Sequence, residues 1–136
     1  MTTTTPAQTS DLAVTYTATQ ADASLIMAIF NGPIAAKAGD GIALLFDYDT
    51  PPTYEQLTAD HPKGSQGYKD IGAVMMLNET IGTFVKQGLL DRGLVYDLLY
   101  VKGAWDRVKA IAVHDREKAG VAALWENFEA LANGQG

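Results

Sequence analysis

The sequence predicts an all-α fold: a single domain built as an irregular antiparallel bundle of about six helices around a long central helix at about residues 65–87. Three observations carry that expectation. Between Ser65 and Leu131 apolar residues recur every three or four positions. Glycines, prolines and Asn-Gly pairs fall between these runs, where helix ends would place them. Sustained strand-like alternation is missing, apart from the short Leu12-Ala13-Val14-Thr15-Tyr16-Thr17 near the start.

That alternation lies in a Thr-rich tail, residues 1–17, ahead of a helical domain at residues 18–132. A mobile tail and an extended segment against the body are both open. Thr19 and Asp22 have the spacing of a capping box, and Leu25, Ile26, Ile29 and Phe30 follow at helical intervals, so a first helix is expected over about 20–31. Asn31-Gly32 stops it. Pro33 suits the first position of a second helix over about 33–47, with Ile34, Ala38, Ile42, Leu45 and Phe46 inward. Pro51 and Pro52 break that helix, because neither can donate to the ladder and each disfavours helical geometry in the residue before it.

Thr53 with Gln56 opens a short helix as a second capping box, closed by His61-Pro62-Lys63-Gly64. Ser65 caps the central helix, in which Tyr68, Ile71, Met75, Asn78, Ile81 or Gly82, and Val85 recur until Gly88. Asp91 caps the next, which carries Val95, Leu98 and Leu99. Trp105, Val108, Ile111 and Ala112 define another. Val121, Leu124, Trp125, Phe128 and Leu131 define the last, closed by Asn133-Gly134. Gly39, Gly41, Gly72 and Gly82 each weaken their helix by about 1 kcal/mol relative to Ala, which points to helix crossings or to room for a cavity or partner.

At 136 residues the chain has the length of one domain able to bury a core without disulfide or metal staples. Apolar residues at 47% and charged residues at 19% exclude a disordered chain. The lack of cysteine excludes disulfides and thiolate chemistry and makes the cytoplasm the expected compartment. The N-terminus has neither the basic nor the apolar region of a secretory signal. Nowhere do about 20 apolar residues run together, so no membrane span is expected. Of the net charge of −6, the first 61 residues carry the whole: seven acids (Asp11, Asp22, Asp40, Asp47, Asp49, Glu55, Asp60) face only Lys37, while nine acids and nine bases follow. Nucleic acid and anionic lipid are disfavoured as partners, since binding either requires clustered Lys and Arg.

The residues Asn78-Glu79, Gly82, Gly88-Leu89-Leu90-Asp91, Leu94-Val95-Tyr96, Trp105 with Val108 and Ile111, Arg116, and Asn127-Phe128-Glu129 with Leu131 form a pattern. It resembles a bacterial family of small all-helical proteins catalogued as a domain of unknown function. The resemblance covers residues 65–131, about half of the chain, and weakly the second helix. It implies an all-α fold and transfers no catalytic residue. Some members carry a membrane helix before the domain; its absence here makes a soluble form the expectation.

Several groups of residues have the elements of a chemistry. Ile42 to Phe46 leading into Asp47-Tyr48-Asp49-Thr50 has the form of the nucleophile loop of haloacid-dehalogenase phosphatases, where the first Asp attacks phosphorus beside Mg²⁺. That chemistry needs a strand of a parallel sheet before the motif. Here two prolines follow and helices are expected around it, so a frayed helix end with solvated acids is the preferred reading. Asp40, Asp47, Asp49 and Glu55 have cation-binding oxygens but not the spacing of the 12-residue EF-hand loop, and a solvated acidic surface is expected of them.

Asn78 and Glu79 stand mid-helix among Met75, Met76, Leu77, Ile81 and Phe84, so at least one of them should be buried. A buried carboxylate is costly unless compensated. Either Glu79 pairs with Arg92, Arg107 or Arg116 and ties two helices together, or it serves as an acid or base in an interior pocket. His61 and His114 lack metal-ligand spacing. His114 near a helix C-terminus is favoured by the macrodipole when protonated. The three serines form no nucleophile elbow. Tyr96, Trp105, Trp125 and Phe128 have core spacing, with an aromatic cage as the sharper alternative.

No catalytic residue, cofactor or metal site is assigned from these patterns. The leading expectation is a soluble, cytoplasmic, non-catalytic interaction or regulatory protein whose partner surface is Asp40, Asp47, Asp49 and Glu55, the partner being another protein or a second copy. The alternative is a small-molecule-binding protein or enzyme with an interior pocket near Glu79, involving Asn78 and Arg116. The most distant is metal-dependent phosphatase-like chemistry at Asp47 and Asp49. For stability, Trp105, Leu124, Trp125 and Phe128 are expected to be largely buried where the last helices meet the central one. Phe128→Ala or Trp105→Ala should therefore cost about 3–5 kcal/mol, and Asp49→Asn less than about 0.5 kcal/mol, in urea melts of the three variants.

Overall fold

The computed structural model describes residues 16–136. The Thr-rich tail and its alternation lie outside the described residues, save Tyr16 and Thr17. Seven helices lie among the described residues: α1 (Gln20–Phe30), α2 (Pro33–Leu45), α3 (Tyr54–Asp60), α4 (Gln66–Lys86), α5 (Arg92–Leu98), α6 (Val101–Ala119) and α7 (Glu126–Asn133). No strand occurs among the described residues.

The first five helices begin at signals written locally. Thr19 and Asp22 close a reciprocal capping box on α1, and Thr53 and Gln56 close one on α3. Ser65 accepts from the Tyr68 amide at the start of α4, and Asp91 from the Leu94 amide at the start of α5. Pro33 occupies the first turn of α2, where its missing N–H removes no helical bond.

Helix α4 is the axis of the domain, with α2, α6 and α7 all packed against it. Its buried set, including Ile71, Val74, Met75, Leu77, Asn78 and Ile81, is wider than a single stripe because it is covered from more than one side. The α2–α4 contact is the most extensive and depends on Gly41: a Cβ there would stand 2.2 Å from the Asp70 carbonyl oxygen. Gly82 serves α7 in the same way, since a Cβ would stand 2.4 Å from the Asn127 carbonyl oxygen. Helices α6 and α7 run antiparallel, as Arg116 pairs with Glu129 while Lys102, at the other end of α6, bonds Gln135. Between them the Trp105 and Phe128 rings meet edge to face at 5.1 Å, with Phe128 fully buried.

Three expectations need correction. Helix α2 ends at Leu45 and turns Ala38, Gly41 and Leu45 inward, leaving Ile34 and Phe46 exposed. The last helix starts at Glu126 rather than near Val121, because Trp125 takes a left-handed conformation (φ 65°) that a helix cannot continue through. Val121 is consequently exposed, and Leu124 and Trp125 are half-buried rather than core. Gly39 and Gly72 have no neighbour that a Cβ would meet within 4 Å, so they serve no crossing.

The glycines separate packing from propensity. Gly72→Ala is expected to stabilise by about 0.5–1 kcal/mol through helix propensity alone. Gly41→Ala should destabilise by about 1–3 kcal/mol, because α2 must move off α4. Urea midpoints check this, and shifts of the same sign at both positions would contradict the close approach at Gly41.

Candidate functional site

Glu79 lies half-buried on α4 beside the start of α7. Helix α7 has no cap of its own, since Trp125 offers no side-chain acceptor. Glu79 replaces it: Oε1 accepts from the backbone amides of Asn127 (3.1 Å) and Phe128 (3.0 Å), the donors a local cap would satisfy, and Oε2 accepts from Asn127 Nδ2 (2.8 Å). The positive end of the helix dipole supplies the remaining compensation. Among the described residues the carboxylate thus has no arginine partner, the first of the two roles the sequence offered.

Asn78 and Arg116 do not join it. Arg116, on α6, binds the Glu129 carboxylate at 2.8 Å and donates Nε to the Leu124 carbonyl at 2.6 Å, fixing the turn ahead of α7. Asn78 is buried on another side of α4, where its Nδ2 donates to the Val74 carbonyl at 2.8 Å. There it lines a cleft of about 250 Å³ between α2, α4 and the α5–α6 junction. The three candidates of the buried polar site are therefore distributed over separate contacts.

Asp40, Asp47, Asp49 and Glu55 are all exposed, and no three acids or histidines among the described residues converge as metal ligands would. Asp47 and Asp49 follow a helix, not a strand, so the frame required for the phosphatase-like reading is missing. The segment after α2 is instead tied to α6. Arg107 donates Nε to the Tyr48 carbonyl (3.2 Å) and lays its guanidinium over the Phe46 ring at 4.1 Å. The Tyr48 hydroxyl donates to Asp60 at 2.6 Å; burial first, then that carboxylate, push the phenol up to about 12, so it remains a donor at neutral pH. Phe46 stands 6.2 Å from the Tyr100 ring at the mouth of the Asn78 cleft, and Leu98 also lines that cleft.

A second group was not visible in the sequence. His114 stacks on Tyr54 at 4.1 Å, Lys63 Nζ lies 3.4 Å from His114 Nε2, and Trp125 Nε1 donates to Asp115 at 3.0 Å. Hydrogen bonding to Tyr54 raises the Lys63 pKa, and burial raises that of Tyr68 beside it. Tyr54 and His114 edge an open groove along α3 and α6 that also carries Glu55. Tyr54 and His114 come from helices 60 positions apart, so no local spacing announced them. Asp70, also buried, did leave a signal: Gln66, one turn earlier, donates to it at 2.8 Å.

Residues 18–135 match a family described as a domain of unknown function (DUF4760). The chain belongs to this family. The match takes in α1 to α3 as well as the residues 65–131 on which the sequence resemblance rested. No curated protein and no solved structure matches the chain. No helix among the described residues is long and apolar enough to cross a membrane.

Removing the carboxylate in Glu79→Ala leaves the α7 amides without an acceptor and is expected to cost about 2 kcal/mol, as for a lost cap bonded to a charged group. Glu79→Gln should lose less, because its carbonyl can still accept from α7. Hydrogen exchange over residues 126–133 alongside urea melts checks this, and unchanged protection of the Asn127 and Phe128 amides in Glu79→Ala would rule out the capping role.

Proposed function

We propose that this chain is a non-catalytic binding protein of the cytoplasm that receives another protein on the face where Phe46, Leu98 and Tyr100 stand near Asp47 and Asp49. The observation that supports this reading is one of coexistence. Leu98 and Tyr100 are 51% and 62% exposed around one cleft mouth, with Phe46 partly exposed between them and α2. Single exposed apolar side chains are ordinary, but a grouped set with a polar border is the usual composition of a recognition surface. Asp47 and Asp49 take part in no ion pair among the described residues, so their charge is free to act outward.

The partner that fits presents an apolar side chain bordered by Lys or Arg. Uncompensated acids attract such a surface and speed its approach at low salt, whereas the apolar contacts hold it once docked. Asp40 and Glu55 extend the same sign of charge along α2 and α3.

Affinity capture with wild type, Tyr100→Ala and a combined Asp47→Asn and Asp49→Asn variant tests the reading. Tyr100→Ala is expected to weaken the captured complex about fivefold or more, chiefly through faster dissociation. The double variant should flatten the salt dependence of association. Partners retained by both variants with unaltered salt dependence would remove this face from consideration. A dimer in sedimentation that Tyr100→Ala abolishes would assign the face to a second copy.

A further inference from the structure

We propose that the cleft between α2, α4 and the α5–α6 junction binds a small, neutral, largely apolar molecule carrying one N–H or O–H donor, which the side-chain oxygen of Asn78 receives. The mouth of this cleft is the face of Phe46, Leu98 and Tyr100 described above, but ligand binding inside it does not require the protein–protein reading. Its wall is apolar, formed by Ile42, Phe46, Val74, Leu99 and Ala104 around Asn78. Asn78 is only 5% exposed. Its amide group is oriented by chemistry: Nδ2 must face the Val74 carbonyl at 2.8 Å, since the oxygen could not bond there. Oδ1 is then the group left over for another partner, Asn78 itself lines the cleft, and no described residue donates to that oxygen.

A buried acceptor without a donor is rare in a folded protein, because it has lost its water and gained nothing. Leucine would fill this position without that loss. Water that enters the cleft meets few polar groups on its wall, whereas a well-held internal water has two to four polar partners. Among the described residues, the other polar side chain on this wall is Tyr100, which is exposed at the mouth. A donor on an apolar body satisfies Oδ1 and fills the cleft at once.

Size and charge narrow the class. The cleft holds about 250 Å³. An apolar cavity of about 150 Å³ accepts benzene. A fused bicyclic ring or a medium-length alcohol is therefore the right scale. No carboxylate, ammonium or guanidinium of the described residues lines the cleft, so an ionised ligand would lose its hydration without compensation from them. Acids and amines are excluded in their charged forms.

Indole and 1-methylindole share a ring system and differ in the N–H, so they test the donor directly; 1-octanol tests an aliphatic body. Titrations followed by amide chemical shifts of Val74, Asn78 and Ala104 are expected to show saturable indole binding there, at least tenfold tighter than that of 1-methylindole. Asn78→Leu and Asn78→Ala, each checked for a cooperative urea transition, should abolish that preference. Equal affinity for the two indoles, a preference that survives both Asn78 variants, or shifts confined to the groove at Tyr54 and His114 would overturn the proposal. So would the failure of indole and 1-octanol alike to bind.

Discussion

The carboxylate of Glu79 does for α7 what a neighbouring serine or aspartate ordinarily does for a helix, and much of the domain depends on that substitution. Trp125 enters α7 with a positive φ and offers no acceptor, so the amides of Asn127 and Phe128 would face a packed interface unsatisfied. Glu79 satisfies both, and Gly82, one turn further along α4, gives the Asn127 backbone the space to approach. Phe128 is thereby placed directly against Trp105. The effect continues along α7 to Gln135, whose side chain donates to the Leu99 carbonyl and accepts from the Lys102 amide, capping α6 from outside. Leu99 is part of the cleft wall. A carboxylate on one side of α4 thus helps to position a cleft on another.

The division between what the sequence reveals and what it conceals follows from distance along the chain. Caps at Thr19, Thr53, Ser65 and Asp91 close within three residues, so spacing alone identifies them. The caps of α6 and α7 come from Gln135 and Glu79, across separations of 33 and 48 residues, and no local pattern encodes them. The requirement that Glu79 be compensated was legible, because a carboxylate among apolar neighbours demands donors. Arginine was the obvious donor class; the backbone of a helix start proved to be the actual one. Similarly, periodicity named the helix at Pro33 but misassigned part of its inner face, since Gly41 rather than Ile34 meets α4 and a glycine carries no hydrophobic signal.

Asn78 and Glu79 show the same limit for function. Sequence adjacency suggests one polar site, but successive residues on a helix point about 100° apart, so on a helix covered from several sides they meet different neighbours. One faces α7 and the other the cleft. The acidic half of the chain behaves likewise. Its sign is plain in the sequence, yet only the fold shows that Asp60 is engaged by Tyr48, Asp22 by the Asp91 amide and the α1 capping box, and Asp47 and Asp49 by no ion pair among the described residues.

Two positions in the domain break local rules, and their surroundings treat them differently. Trp125 carries backbone strain, and that strain is offset: its indole donates to Asp115, Arg116 holds the preceding turn, and Glu79 completes the helix it opens. Asn78 is 5% exposed, and no side chain or amide among the described residues donates to its Oδ1. Consistency across levels is what makes a sequence specify a fold, so a compensated exception belongs to the architecture. An exception left uncompensated inside an apolar cleft has no architectural reason to persist, since a leucine would pack there at lower cost. By that contrast the ligand site we propose is centred on Asn78, whereas the Glu79 carboxylate is accounted for by the start of α7.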